Sequence, residues 1–260
     1  MGLCIHYDLS APTLKSPAAA RKIVADLQTF ATTLHLKSVS KILTWKRGND
    51  PMVAMMHEFP IYNRDDKANT QIFFAKPLEM LFFLAQHPGS EPALFGLARY
   101  SKTARDMETD EARPSNLTGW HWHHSCKTQY ASMENEGGFP NFFAIHDGIC
   151  QILDHAATLG LTLNVVDESN YWQHRNKSKL HAEIDRWNAM IAAVVGRFKD
   201  QSNGTSGQVT AAPILNAPNF EHLEAKGQPF LEVTPEVHVI RHNPKPKRKP
   251  SRRPRRGQGM

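Results

Sequence analysis

Between Gly119 and Ala131 the chain reads GWHWHHSCKTQYA, and two tryptophans two residues apart leave few ways to fold it. Each buries a large ring whose indole N–H still needs an acceptor, so the pair asks for a strand with one face against a core. As one strand from Trp120 to Tyr130, the run puts Trp120, Trp122, His124, Cys126, Thr128 and Tyr130 on one side. His121, His123, Ser125, Lys127 and Gln129 fall on the other. The first side belongs in the interior. The second offers two imidazoles at a spacing that suits one metal ion.

The same alternation marks a strand from Leu3 to Leu9, with Leu3, Ile5, Tyr7 and Leu9 inward and Cys4, His6 and Asp8 outward. Ser16 and Pro17 form an N-cap and first-turn pair ahead of a helix carrying Ile23, Val24, Leu27, Phe30, Ala31 and Leu34 at helical spacing. Strands are expected over Ser38 to Trp45 and Gln71 to Ala75, whereas the apolar run Pro77 to Ala85 suits either a strand or a short helix. Arg47 to Asn69 reads as a long irregular connection and the charged Ser101 to Arg113 as an exposed loop or lid. A helix over Asn141 to Leu159, a strand over Leu161 to Val166 and a helix over Ser178 to Phe198 follow, the last with an apolar stripe suited to packing on a sheet.

This order predicts an α+β (or α/β) domain over 1–200, with a mixed β-sheet covered by about three helices. A flexible linker is expected over 201–219 and a short appendage over 220–242, with a strand pair at Phe230 to Thr234 and Val237 to Arg241. The tail, 243–260, has no aliphatic residue but its terminal methionine, cannot offset ordering entropy by burial, and is expected to be disordered.

Charge is distributed unevenly. Lys245, Lys247, Arg248, Lys249, Arg252, Arg253, Arg255 and Arg256 lie in the tail, and removing these eight cations takes the net charge from +6 to −2. The body is therefore near neutral, and the tail is expected to associate with nucleic acid or another polyanion by counterion release. No stretch approaches a membrane span, and three cysteines without C-x-x-C spacing indicate no disulfide framework, so a cytoplasmic location is expected.

Three groups of residues invite chemistry. His146 falls in the apolar arc of its helix, where a buried imidazole must find a partner; it reads as a satisfied core histidine, or as a base beside a Cys126 nucleophile with Asp167 orienting the ring. His121 and His123, with the Asp167–Glu168 pair, form a candidate site for a divalent metal, and His6, Asp8 and His174 are also available as ligands. Tyr171, Trp172, His174 and Arg175, after a strand and before a helix, form a candidate ligand-binding group, with local packing as the plainer account. No GxGxxG or GxxxxGK[ST] run occurs, so no nucleotide cofactor is expected.

The leading expectation is a cytosolic accessory protein with a ligand- or partner-binding body and a tail that tethers it to nucleic acid. A metal-dependent hydrolase and a protein–protein interaction module are the rivals. They part on whether the tryptophan-rich run and the acidic strand end meet on one surface.

Overall fold

The alternation of the first strand is realised in β1 (Cys4–Ala11), where Ile5, Tyr7 and Leu9 are buried while Cys4, His6, Asp8 and Ser10 stay partly open. The computed structural model describes residues 3–47, 49–55, 57–63, 71–202 and 212–232. The Ser16 hydroxyl accepts from the Ala19 N–H and starts α1 (Pro17–Ala31), whose Ala20, Val24, Leu27 and Ala31 face the core.

The segment expected as one strand over Ser38 to Trp45 is two, β2 (Ser38–Val39) and β3 (Leu43–Lys46). Ser40 breaks it: its N–H donates to the Leu84 carbonyl, but its hydroxyl, not its carbonyl, accepts the Leu84 N–H. Inside the supposed irregular connection lie a short helix, α2 (Pro51–Met55), and a strand, β4 (Phe59–Asn63).

β5 (Gln71–Gln86) joins the two halves that hydrophobic period had left apart, with register shifts on either side of Pro77, a residue that has no N–H to give the ladder. β6 (Ala93–Asp106) and β7 (Ala112–Pro114) replace the expected lid. Asp106 holds the turn between them by accepting the N–H groups of Glu108 and Thr109, and these bonds lower its carboxyl pKa.

β8 (Trp120–Lys127), α3 (Gly138–Thr158) and β9 (Thr162–Asp167) follow the expected pattern closely. α4 (Tyr171–His174) is a single turn before α5 (Lys177–Ser202). The stripe on α5 does not lie on the sheet along its length. Leu180 and Ile184 join the main core, but Ile191 and Ala192 pack with Ile214, Ala217 and Phe220 in a second cluster. α6 (Phe220–Glu232) supplies Phe220 and is a helix where a strand from Phe230 was expected. Val237 to Arg241 and the basic tail lie outside the described residues.

The fold is α+β, and its sheet is curled and antiparallel rather than mixed, with strand order β2-β5-β6-β8-β1-β9. β3 and β4 also pair with β5, and β7 with β6. β8 meets β6 at Ala98↔His121 and then parts from it, and the Leu94 carbonyl on β6 accepts from Tyr7 Oη at 2.8 Å and Trp122 Nε1 at 2.9 Å. Trp122 thus finds both its core and its acceptor, whereas the buried Trp120 Nε1 has no hydrogen-bond partner among the described residues.

Entry into β8 turns on Gly119, at φ +76°, where a Cβ would collide with the Ala11 and Pro12 carbonyls. Trp120, Trp122 and Cys126 pack with Ile5, Tyr7, Leu9, Val24, Leu27, Phe142, Ile149 and Leu153 in one core. Helices therefore cover one face of β8-β1-β9; on the other, Phe59 of β4 stands against a buried His121, and the face opens toward Asn164 and Glu168 at β9.

Candidate functional site

β1 lies between β8 and β9, and the register lines their outward residues into rows. His121, Ser10 and Thr162 form one row; His123, Asp8 and Asn164 the next; then Ser125, His6 and Val166; and finally Lys127, Cys4 and, just past the strand end, Glu168. Val166 is the one aliphatic side chain among them. Strand parity alone selects this set, because every second residue of three neighbouring strands shares a face.

At its centre, His123 Nδ1 lies 2.7 Å from Asp8 Oδ1, and Asn164 Nδ2 donates to Asp8 Oδ2 at 2.9 Å. Both partners of the pair are about one-third exposed or less, at 32% and 27%. No described group hydrogen-bonds His123 Nε2. Phe59 stands edge-on to His121 and His123, with ring centroids 5.8 and 5.9 Å away. His121 is engaged on both nitrogens, Nδ1 with the Ser10 hydroxyl at 3.0 Å and Nε2 with the Thr118 carbonyl at 2.7 Å. Burial lowers its pKa, against the opposing pull of Thr118 and Asp8.

At the other end of the array, Cys4, His6 and Glu168 bring a sulfur, an imidazole nitrogen and a carboxylate oxygen within 4.8 Å of one another. Glu168 Oε2 accepts the Cys4 N–H at 2.8 Å, and Oε1 is 3.7 Å from His6 Nε2. Burial first, then the Glu168 and Glu91 charges, push the Cys4 thiol up to about 11.

The metal set expected from sequence is divided by the sheet. Glu168 shares the open face with His121 and His123, whereas Asp167, one residue earlier, points through to the core. There His146 Nε2 is 3.3 Å from Asp167 Oδ2 and 3.2 Å from Ser169 Oγ, and His146 Nδ1 is 2.9 Å from Thr128 Oγ1. Asp167 also accepts the Ser169 hydroxyl and the backbone N–H groups of Ser169 and Trp172. Burial raises its pKa, but the His146 bond and charge, with the other donors, outweigh that and hold it at about 2. The side chains of His146 and Asp167 have no exposure, and the bonds occupy both ring nitrogens. This is a closed structural network.

Cys126 does not complete it. Its thiol donates to the Glu91 carbonyl at 3.2 Å, and burial raises its pKa strongly. The hydroxyl that meets His146 belongs to Thr128, two residues further on.

The third expected group is locally satisfied. Tyr171 Oη donates to Asp147 at 2.7 Å, Arg175 lies 4.5 Å from the Trp172 ring and pairs with Asp154, and His174 accepts the Asn176 N–H. On the helical side, an open groove of about 470 Å³ is lined by Lys22, Asp26, Thr29, Phe30 and His155. The eight tail cations lie outside the described residues.

Sequence reasoning placed His6, Asp8 and Glu168 among available ligands but passed over Cys4 and Asn164. The parity of the first strand held the signal for Cys4. That of Asn164 needed the β1–β9 register, which only the fold supplies. No family model, curated protein or solved structure matches this chain.

Proposed function

We propose that the protein is a hydrolase whose reaction takes place on the open face of β8-β1-β9, with His123 as proton acceptor and Asp8 as the group that fixes its ring. The observation that carries this reading is the 2.7 Å contact between His123 Nδ1 and Asp8, whose other oxygen is held by Asn164. A carboxylate at Nδ1 keeps the ring proton there and leaves Nε2 as the basic nitrogen. Nε2 takes a proton from a water whose oxygen attacks a carbonyl or phosphoryl centre, and gives that proton to the leaving group. Phe59 flanks the face near both histidines.

Purified full chain assayed on a panel of chromogenic carboxyl and phosphate esters tests this. Turnover is expected, and His123→Ala should lower it by at least about a hundredfold while circular dichroism stays unchanged. Absence of turnover across the panel, or turnover indifferent to His123, ends the reading.

A second reading rests on a separate observation, the eight cations between Lys245 and Arg256. In it the protein is a cytoplasmic accessory factor tethered to nucleic acid by its tail, and the open face serves a bound partner. With a body charge of −2 once those cations are removed, the tail rather than the face supplies affinity for polyanions. Deleting 243–260 should abolish retention on heparin at low salt. Undiminished retention would place the polyanion surface on the body.

A further inference from the structure

We propose that Cys4, His6 and Glu168 bind a zinc ion through the thiolate sulfur, an imidazole nitrogen and one carboxylate oxygen, with water in the fourth position. The three donors lie within 4.8 Å of one another, and ligand atoms around tetrahedral zinc sit roughly 3.5 Å apart. His6 Nε2 and Glu168 Oε1 are already at 3.7 Å, so closure on an ion asks only for small side-chain rotations.

The backbone prepares the site. Cys4 and His6 are two residues apart on one strand and share its open face, while the chain leaving β9 fixes Glu168 against them through its N–H to the Cys4 carbonyl. The Cys4 N–H in turn holds Glu168 Oε2, which turns Oε1 toward His6, the kind of outer hydrogen bond that orients a ligand. A sulfur and an imidazole select zinc over magnesium or calcium, which prefer oxygen alone. Three protein ligands with an open fourth position are the arrangement of a catalytic rather than a structural zinc site.

This set differs from the one the sequence suggested. His121 has both nitrogens engaged and Asp167 faces the core, so only Glu168 is common to the two. The site adjoins the His123–Asp8 pair, because Asp8 follows His6 on the same face of β1, about 7 Å along the strand. In the hydrolytic reading, zinc held by these residues would supply an acidified water to the face on which His123 accepts a proton. That link rests on the function proposed above, whereas the binding of zinc does not.

The test uses full-length protein without a histidine tag. Titration with cobalt(II) should give one equivalent bound and a thiolate-to-metal charge-transfer band, and zinc should displace the cobalt. Cys4→Ser should abolish the band, and Cys4→Ser, His6→Ala and Glu168→Gln should each weaken zinc by roughly a hundredfold, the upper end of what even an outer-shell change costs. His155→Ala, which breaks a surface histidine–carboxylate pair with Asp26, should leave zinc affinity unchanged.

Binding below half an equivalent, a missing sulfur band, or equal affinity in Cys4→Ser and His155→Ala overturns the proposal. Zinc bound without turnover supports the site and defeats only the hydrolase. Turnover that depends on His123 in metal-free protein upholds the hydrolase and removes zinc from it.

Discussion

Two histidine–aspartate pairs sit on opposite faces of the same three strands, and only one of them is free to act. His146 and Asp167 are sealed in the core with Thr128 and Ser169, and every nitrogen and oxygen of the pair is engaged. His123 and Asp8 are about one-third exposed or less, and no described group hydrogen-bonds His123 Nε2. The residue types are identical, so the difference is one of saturation. An imidazole whose two nitrogens are both bound holds structure together, and one with a single anchored nitrogen can exchange a proton.

The sharpest way to break this contrast is to remove a carboxylate from each side. Asp167→Ala leaves His146 without its charged partner in a dry site and should cost about 3–5 kcal/mol in chemical denaturation. A loss below about 1 kcal/mol would show that the core pair behaves like a surface pair. Acid should spare the core pair, since Asp167 is held at about 2. Its folded value is depressed, so its contribution is full above the unfolded carboxylate range, declines as pH falls from there, and is gone below about pH 2.

Two other histidines should fail earlier. Burial first lowers His57 and His124 to about 4, and the charge of His123 adds to the effect on both. Their rings lie 6.3 Å apart beside Trp122. Because both values are depressed, the unfolded chain binds more protons below about pH 6.5, and each site should cost about 2 kcal/mol by pH 5. Thermal melts between pH 7 and pH 5 should show this decline, and His124→Phe should flatten it; an unchanged slope in that variant would clear His124 of the effect. The smallest effect belongs to the open pair. Asp8→Asn should change stability by less than about 1 kcal/mol while reducing any turnover, and a stability loss matching that of Asp167→Ala would erase the distinction between the faces.

Much of the fold was legible where a period and a punctuation mark agreed. Leu3 to Leu9, the Ser16–Pro17 start, the β8 run and α3 each carry both a hydrophobic pattern and a boundary. Pro77 hid the continuity of β5 because proline usually ends a strand, and only pairing on both sides carries the chain across the irregularity. Ser101 to Asp106 read as a lid because its side chains are polar, although its backbone pairs in β6. The helix from Phe220 was missed because its apolar residues face α5 rather than a sheet, which no local pattern declares.

For the site, the division is similar. Alternation within one strand fixed that Cys4, His6 and Asp8 share a face, that His121 and His123 share another, and that Trp120 and Trp122 lie opposite those histidines. Asp167 and Glu168 read as one acidic pair beyond a strand ending at Val166, and only the strand that runs on through Asp167 turns them to opposite sides. Which strands are neighbours, and in what register, was decided by tertiary structure, since period-two patterns are the same whatever strand lies alongside. That choice put β1 between β8 and β9, closed His146 onto Asp167, and left Asp8 with His123 and Glu168 with Cys4 and His6 on the side the helices do not cover.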